Sequence, residues 1–116
     1  MLIRNCSFVV TQNHQRQLLE ETDVLVKGGV IVEVGKNLSL KGEEVLDAQD
    51  KILLPGLINA HAHLGMGSLR GLFDEQELDG WLSKVKKAED SLTPEQVYQN
   101  VLSGCREAIR FGTTTI

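Results

Sequence analysis

Cysteine is scarce: Cys6 and Cys105 are the only two in 116 residues. They stand far apart and in no metal-ligand spacing, which argues against a disulfide framework or a zinc knuckle and leaves two buried thiols as the simplest reading. Concentrated basic charge is missing as well. Twelve Lys and Arg are scattered among sixteen Asp and Glu, for a net charge of −4, and they form no basic stripe of the kind that nucleic acid or an anionic membrane attracts. No apolar run approaches the length that spans a bilayer, and the start MLIRNCSFVV lacks a charged region followed by a long apolar one. Neither nucleic acid nor membrane is expected as a partner, and the cytoplasm is the default location. Internal repeats and low-complexity segments are also lacking. What remains, with 41% apolar and 24% charged residues, is enough apolar side chain to build a core.

The first half reads as short strands. LIRNCSFVV ends in aromatic and β-branched residues, and DVLVKGGVIVEVG holds two alternating runs joined by Gly28 and Gly29. A pair of glycines tolerates the positive φ of a two-residue hairpin turn. Val24 and Val26 share one face by the period of two. EEVLDAQDKILLPG continues the theme, with a polar break from Asp47 to Lys51 and a stop at Pro55 and Gly56. A domain boundary is therefore expected there, between residues 1–55 and 56–116.

Beyond Gly56 the pattern changes. GLINAHAHL is a short apolar run bounded by glycines, consistent with a buried strand of the parallel type. Leu78, Trp81, Leu82, Val85 and Ala88 fall at helical spacing and predict an amphipathic helix with Trp81 on its apolar face. Glu89, at the end of that pattern, reads as a solvated carboxylate. A second helix is better marked: Thr93 suits the N-cap, Pro94 the first helical position, Gln96 completes a capping box, and Gly112 suits a C-terminus. Val97, Val101, Cys105, Ala108 and Ile109 are its expected inward face. TTTI then begins a new strand. Strand cluster, strand, loop, two helices and strand is the order of a β-rich domain followed by the first βα unit of a parallel barrel or sheet.

NAHAHLGMGSLRG offers two chemistries. Its glycines 65, 67 and 71 place the third one residue too late for a dinucleotide fingerprint, and no Gly-Lys-Ser or Gly-Lys-Thr marks a P-loop. Phosphate binding is set aside. In a strand, by contrast, Asn59, His61 and His63 share one face while Ile58, Ala60, Ala62 and Leu64 share the other. Two imidazoles about 7 Å apart along such a strand can tilt toward one divalent ion. Taken alone His-x-His is a weak pattern, and satisfied core or surface histidines remain the plainer reading. Arg70, Glu107 and Arg110 read as structural, with Glu107 paired to a basic neighbour, and His14 as exposed.

LPGLINAHAHLGMGSLRG resembles the first barrel strand of the amidohydrolase superfamily, in particular the branch of cytosine, guanine and adenosyl-nucleoside deaminases and triazine chlorohydrolases. The strand-rich front is similar to that family's small composite β-sandwich, and CREAIRFGTTT to the helix and second strand that follow. The resemblance implies an α/β fold: a β-sandwich part in 1–55 and the start of a (β/α)8 TIM barrel in 56–116. It implies a divalent metal ion, zinc first and iron as the alternative, held by His61 and His63. WLSKVKKAEDSLT is similar to the segment that gives the nucleoside an aromatic and a carboxylate, which would make Trp81 and Glu89 substrate contacts. The spacing between them is one residue shorter than the family's, and Gly65, Gly67 and Ser68 replace bulkier residues.

The implied activity is hydrolytic deamination of a purine, pyrimidine or adenosyl-nucleoside small molecule. A bound zinc or iron acidifies water, and the resulting hydroxide attacks a ring carbon bearing the amino group. Alternatives are a dechlorinating or cyclic-amide hydrolase of the same superfamily, and a non-catalytic β-rich interaction module. Two histidines leave a catalytic zinc short of its usual three protein ligands, and a barrel of about 250 residues cannot fit after Pro55. The chain is thus expected to be the front part of a longer protein, inactive alone, and to homo-oligomerise or assemble with the missing barrel part along the strand at Leu57 to Leu64.

Overall fold

The alternating runs of the front half build one mixed sheet. In the computed structural model, which describes residues 1–39 and 41–116, this sheet belongs to a first unit, Met1–Pro55, and is followed by a second, Gly56–Ile116. Strands β1 (Leu2–Val10), β2 (Leu18–Lys27) and β3 (Val30–Gly35) form an antiparallel meander, and β4 (Val45–Asp47) and β5 (Ile52–Leu53) both lie parallel to β1 along its other side. Gly28 and Gly29 close the β2–β3 hairpin with φ of +57° and +78°, the pair of positive values that a type I′ turn demands and that glycine adopts without a Cβ clash. Val26 and Ile31 face each other across it.

The polar break between β4 and β5 serves the backbone. Ala48 N–H donates to Arg4 C=O at 2.8 Å, and Lys51 C=O accepts from Ser7 N–H at 3.0 Å, so the break stays fastened to β1 while the two short strands resume the ladder. Cys6, Val9, Val24 and Ala48 form the core, with Ile3, Leu19, Val26 and Leu53 packed against it. Leu2 is fully buried too. Asn5 adopts φ +59° where the β1–β2 register shifts between Ile3 and Cys6, a bulge in β1. Its N–H donates to Asp23 Oδ1 at 2.9 Å and Leu38 N–H donates to Asp23 Oδ2 at 3.0 Å, which satisfies a buried carboxylate. Of the two thiols, Cys6 is buried and Cys105 only partly so; burial, then the nearby Asp23 carboxylate, pushes the Cys6 thiol up.

The second unit starts with β6 (Leu57–Ile58), passes through a short 3₁₀ helix (Leu64–Leu69), α1 (Leu78–Asp90) and α2 (Pro94–Arg110), and returns in β7 (Thr113–Thr115), parallel to β6. The α2 start is as the sequence predicts. Gln96 N–H donates to Thr93 Oγ1 at 3.3 Å and Thr93 N–H donates back to Gln96 Oε1 at 2.8 Å, a reciprocal capping box.

Three expectations need correction. The strand expected through Leu64 stops at Ile58, where Asn59 turns the chain by accepting the His61 N–H on its side-chain oxygen. Leu57 and Ile58 are 52% and 75% exposed rather than buried, since no described element covers them. On the helices, Leu78, Leu82 and Ile109 stay exposed, while Val85 is buried and Val101, Cys105 and Ala108 are half-buried; each helix meets packing on a narrower stripe than its full apolar arc.

Candidate metal site

The β6–β7 pair fixes where the histidines emerge. Leu57 N–H donates to Gly112 C=O at 2.8 Å and Asn59 N–H to Thr115 C=O at 2.9 Å. Gly56 enters this pairing with no room to spare: a Cβ there would collide with the Thr114 side chain. Immediately after the last ladder bond, Asn59 Oδ1 accepts the His61 N–H at 3.2 Å, an Asx turn that bends the chain within two residues. His63 then opens the 3₁₀ helix, its C=O accepting from Met66 N–H at 3.1 Å.

Between the turn and the short helix the two imidazoles meet. His61 Nε2 and His63 Nε2 lie 2.8 Å apart, with ring centroids separated by 4.9 Å and planes inclined at 44°. Strand alternation would have held the rings side by side along an extended backbone. Instead the turn brings two ring nitrogens to one point, one ring donating and the other accepting. That is a donor set for a divalent ion. Zinc at about 2.0–2.1 Å from each nitrogen in tetrahedral geometry needs them about 3.3 Å apart, a small opening of the rings. Among the described residues no group of three or more His, Cys, Asp or Glu that could hold a metal ion forms.

A cavity of about 650 Å³ lies against the pair, with Asn59, Ser68, Arg70, Asn100 and Glu107 among its polar lining. Arg70 donates from both terminal nitrogens to Glu107, Nη1 to Oε1 at 3.0 Å and Nη2 to Oε2 at 3.2 Å, so the basic partner expected for Glu107 is Arg70. Each charge sustains the other: hydrogen bonding from Arg70 holds the Glu107 carboxyl below its ordinary range, and hydrogen bonding to Glu107 raises the guanidinium. Asn100 Nδ2 donates to Gly65 C=O and to Ser68 Oγ, both at 2.9 Å. Trp81 and Glu89 sit elsewhere, on α1, the former half-buried and the latter exposed, and neither lines the cavity.

Sequence reasoning passed over Asn59 as a turn former and Asn100 and Gly104 altogether. For the two on α2 the signal was the spacing 100, 104, 107, one helical face, which carries Asn, Gly and Glu where a core face would carry large apolar residues.

A parallel βα segment with two histidines just beyond the end of its first strand places polar side chains on the side where α/β barrel enzymes gather theirs. Residues 52–116 match the model of the amidohydrolase family, and the chain belongs to that family. Over 98% of its length it is 42% identical to a 5′-deoxyadenosine deaminase of Methanothrix thermoacetophila, and over 99% it is 39% identical to a 5-methylthioadenosine/S-adenosylhomocysteine deaminase of Thermoanaerobacter pseudethanolicus. The atrazine chlorohydrolase of Arthrobacter aurescens TC1, solved with zinc, superimposes on 97% of the chain with a TM-score of 0.88 at 31% identity. The chain spans about 27% of the length of each of these three proteins.

Proposed function

We propose that this chain supplies the two-histidine part of a metal-dependent aminohydrolase that removes the amino group of an adenosyl-type nucleoside. The observation that carries the reading is the convergence of His61 Nε2 and His63 Nε2 at 2.8 Å in a family member. Identity of 42% and 39% to two nucleoside deaminases supports the substrate class. Zinc is the ion of choice, supported by the zinc complex of the chlorohydrolase and by the affinity of paired imidazole nitrogens for that metal.

Within the reading, His61 and His63 would hold the ion and Asn59 would hold the turn that presents them. The ion, when bound, would supply an acidified water as the nucleophile for the ring carbon that bears the amino group. Trp81 would stack on the nucleoside and Glu89 would accept hydrogen bonds from it. The further ligands and the acid/base that moves the proton to the leaving ammonia would come from later strands of a TIM barrel of which β6 and β7 are the first two. A cytoplasmic enzyme fits this small, diffusible substrate.

Dechlorination is the second reading, favoured by the superposition on the chlorohydrolase. One experiment separates them. The complete protein, purified and analysed for metal, should carry stoichiometric zinc and release ammonia from 5′-deoxyadenosine or 5-methylthioadenosine; chloride from atrazine without ammonia from either nucleoside would replace the first reading by the second. A His61→Ala, His63→Ala double variant should lose both metal and activity. A folded double variant that keeps its zinc overturns the metal assignment.

A further inference from the structure

The short helix after the histidines is fastened at three places to one face of α2. Asn100 holds its middle through Gly65 C=O and Ser68 Oγ, each at 2.9 Å. Gly104 admits the Leu64 side chain so closely that a Cβ on Gly104 would lie 3.0 Å from Leu64 Cδ2. Glu107 takes the far end through the two-pronged bond to Arg70 at 3.0 and 3.2 Å. Residues 100, 104 and 107 recur at the i, i+4, i+7 spacing of one helix face. His63 is the residue that caps this short helix at its start, and Arg70 the one that caps it at its end, with Arg70 N–H donating to Gly67 C=O at 3.4 Å. A rigid piece therefore runs from the ion pair to the imidazole.

Stability is a poor reason for that ion pair. The Arg70 and Glu107 side chains are 71% and 46% exposed, and exposed pairs contribute little to folding. What a fork-to-fork guanidinium–carboxylate contact does supply is orientation. We propose that Arg70 and Glu107 are positioning residues for the metal ligand His63: by clamping the end of the short helix onto α2 they fix where its first residue, and so its ring, stands relative to His61. The inference rests on the metal reading above for its consequence, but its geometry can be read without metal.

The test uses the complete protein in two states. In metal-free protein, Arg70→Ala and Glu107→Ala should each speed hydrogen exchange at the Met66 amide and shift the ring ¹⁵N resonances of His63, with Tm held within a few degrees. In zinc-loaded protein the same variants should hold zinc against a chelator about ten to a hundred times more weakly than the parent, the range of affinity lost when groups that orient metal ligands are removed. Glu107→Gln, which keeps one hydrogen bond to Arg70, should fall between. The exchanged pair, Arg70→Glu with Glu107→Arg, should restore both readouts, and it carries the test if a single alanine variant does not fold. Unchanged Met66 exchange and zinc affinity in folded single variants would overturn the proposal, and so would an exchanged pair that restores neither. A parent that takes up no zinc sinks the metal reading, while the exchange and resonance measurements still decide whether the clamp places His63.

Discussion

At the scale of the residue, space and charge make different demands. Gly56 is required by close approach: Thr114 Cβ itself would lie 2.7 Å from an added Cβ, so removing the threonine's outer atoms is not enough. Gly56→Ala should destabilise the β6–β7 pairing by about 1–3 kcal/mol, Thr114→Ala should not repair it, and Thr114→Gly should repair most of it, as urea unfolding of the complete protein will show. Charge is at issue at Glu43. The backbone N–H of Lys41 donates to Glu43 Oε2 at 2.7 Å and the Lys27 ammonium lies 3.0 Å from Oε1; these hold its carboxyl down at about 2. A carboxylate whose folded pKa lies below its unfolded value of about 4.3 contributes stability above that value and loses it as pH falls toward 2. Glu43→Gln should flatten the decline of stability between about pH 4.5 and pH 2, and leave the slope above pH 6 unchanged, measured by Tm against pH. Glu89→Gln, if that carboxylate contacts the nucleoside, should raise KM about tenfold or more while bound zinc stays stoichiometric; an unchanged KM would return Glu89 to the solvated role its exposure suggests.

At the scale of the element, what was legible in the sequence is what local chemistry decides. Thr93, Pro94 and Gln96 announce the start of α2, and Gly28 with Gly29 announce the hairpin, because caps and turns are settled by neighbours a few residues apart. Thr93→Ala should accordingly cost about 1 kcal/mol in urea unfolding, with the helix retained by circular dichroism. The histidine strand is shorter than expected because one side chain outweighs a pattern: alternation runs unbroken through GLINAHAHL, but Asn59 draws the His61 N–H into an Asx turn and the strand stops at Ile58. The two rings meet, Nε2 to Nε2 at 2.8 Å, through the Asx turn at Asn59 and not through strand alternation. The docking face of α2 stayed hidden because Asn100, Gly104 and Glu107 carry no apolar signal; their partners lie in a segment some 35 residues upstream.

At the scale of the molecule, two units stand on different footings. The first has an interior of its own, from Leu2 and Cys6 through Val24 to Ala48. The second has a single fully covered large apolar residue among those described, Val85, while Leu57, Ile58, Leu78, Ile109 and Phe111 each leave half or more of their surface open. Two parallel strands with both outer edges unpaired are rarely stable in water, since parallel sheets are ordinarily covered on both faces. Residues 1–116 alone should bind a hydrophobic dye strongly and run larger by gel filtration than their own mass of 12.8 kDa, and the complete protein should bind the dye weakly. Dye binding as weak as that of the complete protein would mean that the second unit closes on itself.

The bond from Asn59 to Thr115 has one more implication, for the order of events during synthesis. The amide that anchors the histidine turn finds its acceptor only once residue 115 has left the ribosome, and loops of that span close late. Until then the nascent polypeptide carries His61 and His63 without the ladder bond that fixes where they emerge.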